Sequence, residues 1–214
     1  MKYKTIFWDI DGTLYDNSED IPKDERKILS KTKRLEKIPD KQLNYWIPYK
    51  GLVELMKSIP KTNQGIISNG IDHLQKDKIL LLGLAGYINP KLIFTSYSEA
   101  EKELKVSIDQ YLLHFLEREI EIYKVEDMSL KTQKPESYMF NKALQKCGIS
   151  PEECVMIGNG WEDVLGAQRV GMKTIYISGT VKKDESYTPI EDGQIIPDHI
   201  IKKGDIKSLT NLLI

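Results

Sequence analysis

Two carboxylates, Asp9 and Asp11, stand one residue apart in the segment Phe7-Trp8-Asp9-Ile10-Asp11-Gly12-Thr13-Leu14. They end an apolar run, Tyr3 to Trp8, that reads as a buried strand. In extended backbone, side chains at i and i+2 point to the same side. Two acids so placed repel unless a cation joins them or their duties divide, one as nucleophile and one as acid and base. A strand-ending turn is the plainer alternative, since Asp-Gly is common turn chemistry.

Three further groups have suitable chemistry. Ser68-Asn69-Gly70 follows the apolar stretch Gly65-Ile66-Ile67 and offers a hydroxyl, an amide and accessible backbone N–H groups. Lys134 precedes Pro135 and supplies a positive charge. Gly158-Asn159-Gly160-Trp161-Glu162-Asp163 follows Cys154-Val155-Met156-Ile157 and offers the oxygens of Asn159 and Asp163. Alone, each is weak: Ser-Asn-Gly is an ordinary turn and Lys-Pro an ordinary loop dipeptide.

The elements between them give these groups a common address. Strand patterns at Lys4–Asp9, Gln64–Ser68, Leu92–Ser96, Cys154–Ile157 and Thr174–Ile177 alternate with helical patterns at about 50–58, 71–82, 136–147 and 162–170. The third helix should stop at Gly148. This alternation predicts an α/β fold with a doubly wound parallel sheet. In such sheets ligands gather at the carboxyl ends of the strands, where three of the four groups fall.

Taken in order, the four groups resemble the motifs of the haloacid dehalogenase-like (HAD) hydrolase superfamily. The resemblance covers residues 1–14, 50–98 and 132–214, which form the expected Rossmann-like catalytic core. It implies that Asp9 is the nucleophile and Asp11 the acid and base. It also implies that Ser68, Asn69 and Lys134 hold the transferring phosphoryl group. Magnesium is the implied cofactor, held by Asp9, Asp11 through its backbone carbonyl, Asn159 and Asp163. An acid at Asp11 favours phosphoryl chemistry, because dehalogenases of the superfamily lack one there. The chain departs from the phosphatase pattern at Asn159, where Asp is usual; an amide oxygen replaces a carboxylate, which should weaken metal binding. Asn159-Gly160-Trp161 also faintly resembles a motif of metal-independent 2-haloacid dehalogenases, which supplies the runner-up. A non-catalytic binding protein on the same fold is a third reading. Trp161 is otherwise a residue packed at a helix start.

Two segments lie outside the core. Residues 15–49 occupy the position of a small helical cap, and seven Lys/Arg against three Asp/Glu between Lys23 and Lys37 suggest a short basic helix or a solvated face. Residues 99–131 read as a helical insertion: Leu104, Ile108, Tyr111, Leu112, Phe115, Leu116 and Ile120 keep a helical period with a wide apolar face. Packing of that helix on its own chain predicts a monomer rather than a dimer.

A net charge of −1 gives no electrostatic case for nucleic acid or an anionic membrane. No apolar run approaches the roughly 20 residues of a membrane span. The first residues enter a strand pattern without an apolar leader, and Cys147 and Cys154 form no metal pattern. A cytoplasmic protein with reduced, buried thiols is expected. His73, His114 and His199 show no ligand spacing. The expected partner is a small phosphorylated metabolite, and no motif identifies which.

Overall fold

A computed structural model describes residues 1–16, 46–104, 131–179, 190 and 193–214. The expected cap and insertion lie outside the described residues, save 15–16, 46–49, 99–104 and 131.

Six strands form one sheet: β1 (Thr5–Trp8), β2 (Gln64–Ser68), β3 (Ile93–Thr95), β4 (Cys154–Gly158), β5 (Lys173–Ser178) and β6 (His199–Lys202). Their order is β3-β2-β1-β4-β5-β6, and every pairing is parallel. The helices are α1 (Leu52–Ser58), α2 (Asp72–Leu81), α3 (Ser96–Leu104), α4 (Tyr138–Cys147), α5 (Trp161–Arg169) and α6 (Ile206–Leu213).

Period-two alternation builds two apolar layers from the same strands. Ile6, Trp8, Ile66, Val155 and Ile157 face one way, against Leu52, Leu55 and Met56 of α1, Ile79 of α2, and Leu209 and Leu213 of α6. Phe7, Ile67, Cys154 and Met156 face the other, against Met139, Phe140 and Ala143 of α4 and Ala167 of α5. Because both faces are covered, the central strands are apolar throughout rather than alternating with polar residues. At Gly166 an added Cβ would lie 2.2 Å from the Phe140 ring, so α5 reaches the layer only with glycine there.

The doubly wound parallel sheet matches the sequence expectation. Helix α4 ends at Gly148, whose φ is 63° and whose N–H bonds to Leu144 O at 2.9 Å. Strand β6 and helix α6 add to the elements expected from the sequence. Strand β6 is a four-residue edge in which only Ile201 is buried, so it carries little periodic signal. Helix α6 did leave a signal: Asp205 caps Ser208 N–H at 3.0 Å, before the buried Leu209 and Leu213. Helix α3 starts at Ser96, directly after β3, although the sequence suggested the insertion from residue 99.

Thr174 and Asp198 fix the edge strand. Asp198 Oδ2 accepts from the Thr174 N–H and hydroxyl, both at 2.9 Å, and the Asp198 N–H donates to Thr174 Oγ1 at 3.0 Å. Burial alone would raise the Asp198 pKa, but its bonds to Lys173 and Thr174 outweigh this and hold it below the ordinary value. A carboxyl depressed in the folded state stabilises above its unfolded pKa, near 3.9, and that stability is lost as pH falls through the folded value. Asp198→Ala is therefore expected to cost about 1–2 kcal/mol at pH 7 in urea denaturation. The difference from the parent should shrink below about pH 4.

Both cysteines are reduced, and Cys154 is buried. Burial pushes the Cys154 thiol up to about 12 and raises that of Cys147. Both thiols are thus held in the protonated, less nucleophilic form at neutral pH. Among the described residues, no helix is long and apolar enough to cross a membrane.

Candidate active site

Strand order reverses between β1 and β4, and the site forms at their carboxyl ends. Trp8 is level with Ile157, so Asp9 leaves β1 beside Gly158, the last residue of β4. The Asp9 N–H still donates to Ile157 O at 2.9 Å, which keeps Asp9 in register with β4. After Asp9 the chain turns, and the N–H groups of Thr13 and Leu14 both reach Ile10 O, at 3.2 and 3.0 Å. Asp11 therefore lies in a turn rather than on the strand. The two acids are separated by different lysines, not merely by the pleat.

Lys134 belongs to Asp9. Its Nζ lies 2.7 Å from Asp9 Oδ1, donates to Asp163 Oδ1, and reaches Ile67 O at 3.3 Å. Lys134 and Asp163 are 3% and 2% exposed, so this ion cluster lies out of water. Two interactions set its position. Asn69 brackets the Lys134 backbone, its Oδ1 accepting from Lys134 N–H at 2.8 Å and its Nδ2 donating to Lys134 O at 3.3 Å. Asp163 lies back across Gly158, where an added Cβ would be 2.2 Å from Asp163 Oδ2. That Oδ2 accepts from Gly160 N–H at 3.0 Å.

Asp11 belongs to Lys78, at 2.6 and 2.9 Å from its two oxygens. Gln75 Nε2 also reaches Asp11 Oδ2 at 3.3 Å, and the Tyr15 hydroxyl donates to Oδ1. Gln75 further donates to Ser68 Oγ at 3.2 Å and Asn69 O at 3.0 Å, joining the β1 turn to the β2 turn. Gly70 makes room for it: its φ is 140°, and a Cβ there would lie 2.7 Å from Gln75 Nε2. Across the site, Thr13 donates its hydroxyl to Asn159 Oδ1 at 3.0 Å.

The electrostatics follow from these partners. Burial pushes the Asp9 carboxyl up to about 6, despite the opposing charge of Lys134. Burial would raise Asp11 too, but Lys78, Tyr15 and Gln75 together hold it below the ordinary carboxylate range. Burial raises Asp163 against the pull of Lys134. Lys134 resists its own burial because Asp163 and Asp9 flank it, and its pKa is raised.

All seven residues expected from sequence converge here: Asp9, Asp11, Ser68, Asn69, Lys134, Asn159 and Asp163. Gln75, Lys78, Tyr15 and Thr13 join them unannounced. The spacing of Gln75 and Lys78, three apart on the helix after Ser68-Asn69-Gly70, was the available signal. Trp161 opens α5 and packs with Val164, Tyr176 and Ile190, a structural position. His73 lies on α2 outside this constellation, and His199 opens β6.

The donor set suits a hard divalent cation. Asp9, Asp163 and Asn159 bring side-chain oxygens to the adjacent ends of β1 and β4. No group of three His, Cys, Asp or Glu gathers for a metal among the described residues. Magnesium does not need one, since it binds through one or two carboxylates and completes its shell with substrate phosphate and water. Three carboxylates against Lys78 and Lys134 leave the site one net negative charge, which disfavours a phosphate dianion until a divalent cation reverses the sign.

Residues 132–203 match the HAD-hydrolase-like family. A glyceraldehyde 3-phosphate phosphatase of Methanothermobacter thermautotrophicus is 24% identical, over 98% of this chain and 99% of its own length. The crystal structure of the HAD-hydrolase YfnB of Bacillus subtilis, bound to magnesium, covers 100% of this chain and 99% of its own, with a TM-score of 0.59 and 16% identity. A HAD phosphatase of Thermococcus onnurineus covers 98% and 97%, with a TM-score of 0.57 and 17% identity. At such identities the structural likeness establishes a shared fold.

Proposed function

We propose that this chain, a haloacid dehalogenase-like hydrolase, is a magnesium-dependent phosphatase that cleaves a small phosphomonoester through an aspartyl-phosphate. The observation that carries this reading is the division of the two acids. Asp9 is held by one oxygen on Lys134 at 2.7 Å. Asp11 has its own, separate cation in Lys78.

In the first step Asp9 Oδ2 attacks phosphorus in line with the ester oxygen. A bond forms from Asp9 to phosphorus, the ester bond breaks, and Asp11 gives the leaving oxygen a proton. Asp11 rests as a carboxylate, so that proton enters with the substrate monoanion or from solvent. In the second step Asp11 takes a proton from water as the water attacks phosphorus, and Asp9 is released with inorganic phosphate. Ser68 and the backbone around Gly12 and Gly70 present donors to the transferring group. Lys134 keeps Asp9 oriented and offsets charge on the phosphoryl oxygens. Asp9, the Asp11 carbonyl, Asn159 and Asp163 would hold magnesium, whose charge would offset that of the phosphate. The 24% identical relative named as a glyceraldehyde 3-phosphate phosphatase supports a substrate of triose-phosphate size.

Phosphate release from a panel of phosphorylated metabolites, with and without EDTA, tests the reading. Turnover should stop on chelation and return with magnesium. Asn159→Asp, which restores a carboxylate, should lower the magnesium concentration for half-maximal activity several-fold, on the order of tenfold at most. Halide release from 2-haloacids that survives EDTA, with no phosphate released from any ester, would establish the dehalogenase reading instead.

A further inference from the structure

We propose that Lys78 is a positioning residue for the leaving-group step, acting by fixing the carboxylate of Asp11 rather than by touching substrate. This rests on the phosphatase reading above. Lys78 sits 67 residues from Asp11 in sequence, yet its Nζ engages both carboxylate oxygens, at 2.6 and 2.9 Å. Gln75 holds Oδ2 at 3.3 Å from the preceding turn of the same helix, and Tyr15 holds Oδ1 from the chain's own turn. Donors from two elements thus fix both the plane of the carboxylate and its reach. Such fixing matters because proton transfer needs close, aligned approach to the leaving oxygen.

Two observations separate this from an ordinary surface ion pair, which contributes little. First, the Lys78 side chain is 19% exposed against 36% for Asp11, and it stands on a helix whose Ile79 is 2% exposed and locked into the core. The ammonium is therefore presented by a rigid element. Second, Gln75 directs its amide Nε2 at Asp11, Ser68 and Asn69, while its Oε1 has no hydrogen-bond partner among the described residues. One side chain thus ties the acid to the turn that follows β2.

Leaving groups provide the test. An alkoxide needs a proton as it departs, whereas p-nitrophenolate leaves without one. Single-turnover phosphoenzyme formation is measured with n-propyl phosphate and with p-nitrophenyl phosphate, in magnesium. Lys78→Met should slow the alkyl ester about 10- to 100-fold and the aryl ester by less than about threefold, with little change in KM. Lys78→Arg, which keeps two donors for the carboxylate, should recover most of the alkyl rate. A thermal melt checks folding; should Lys78→Met melt early, Lys78→Gln reads the same ratio. Equal losses on both esters, or a loss confined to KM, overturn the inference while the phosphatase reading stands. A parent that turns over neither these esters nor any of the phosphorylated metabolites fails that reading and this inference with it.

Discussion

Asp9→Asn is expected to lower turnover at least about a thousandfold while leaving the fold intact, the scale on which removal of a covalent nucleophile acts. The substitution is nearly isosteric, and the amide oxygen can still accept from Lys134 at the position of Asp9 Oδ1. Lys134 also retains Asp163, so its charge is not stranded. Burial already pushes the Asp9 carboxyl up to about 6, which means that ionised Asp9 is held at a cost. Its neutral replacement should therefore melt at the same temperature as the parent or higher, as buried charges commonly behave. The measurement is a pair: phosphate release under saturating magnesium, and thermal unfolding. Mass spectrometry must exclude deamidation of Asn back to Asp. Turnover within about tenfold of the parent would remove Asp9 from the role of nucleophile, since no bystander function predicts so large a loss.

The site was unevenly legible from sequence, for physical reasons. Asp9 and Asn159 follow strands and Ser68 ends one, and the alternation of strand and helix already brings strand ends together. Lys134 was legible by type and by its position ahead of α4. What the sequence could not reveal was who pairs with whom. Asp9 and Asp11 looked like a repelling couple, whereas the turn after Asp9 gives each acid a different lysine. Lys78 lies in a charged stretch, Gln75-Lys76-Asp77-Lys78, in which any lysine reads as a solvated helix face. Its neighbour Lys76 is such a residue, half exposed and paired with Asp72 four residues away. Only the angular position of α2 over the β1 turn separates the two. Asn69 changed emphasis for a similar reason: as a turn residue it suggested a phosphate ligand, but its side chain is engaged with the Lys134 backbone. Strand β6 escaped because a short edge strand buries too little to imprint a period, and its register depends on Thr174 and Asp198 instead.

Lys134→Met should separate activity from metal affinity by moving them in opposite directions. Lys134 is the buried cation between Asp9 and Asp163, and its removal leaves two carboxylates out of water without that countercharge. Breaking a buried pair from one side costs about 3–5 kcal/mol, so the metal-free variant should unfold at clearly lower urea than the parent. Turnover should fall about a hundredfold or more, because the phosphoryl group loses a preorganised positive charge. Yet the carboxylates that lose Lys134 become a stronger attractor for a divalent cation, since the local net charge is more negative by one. Magnesium should therefore raise the melting temperature of the variant more than that of the parent, with half of the effect reached at a lower concentration. Calcium, also a hard oxygen-seeking cation, gives a second titration that does not depend on turnover. If neither ion stabilises the variant beyond the parent, Asp9 and Asp163 do not hold the cation, and Lys134 serves only to neutralise them. Tighter binding with lost turnover would show that one pair of carboxylates serves both the lysine and the metal, with Lys134 setting how strongly the ion is held.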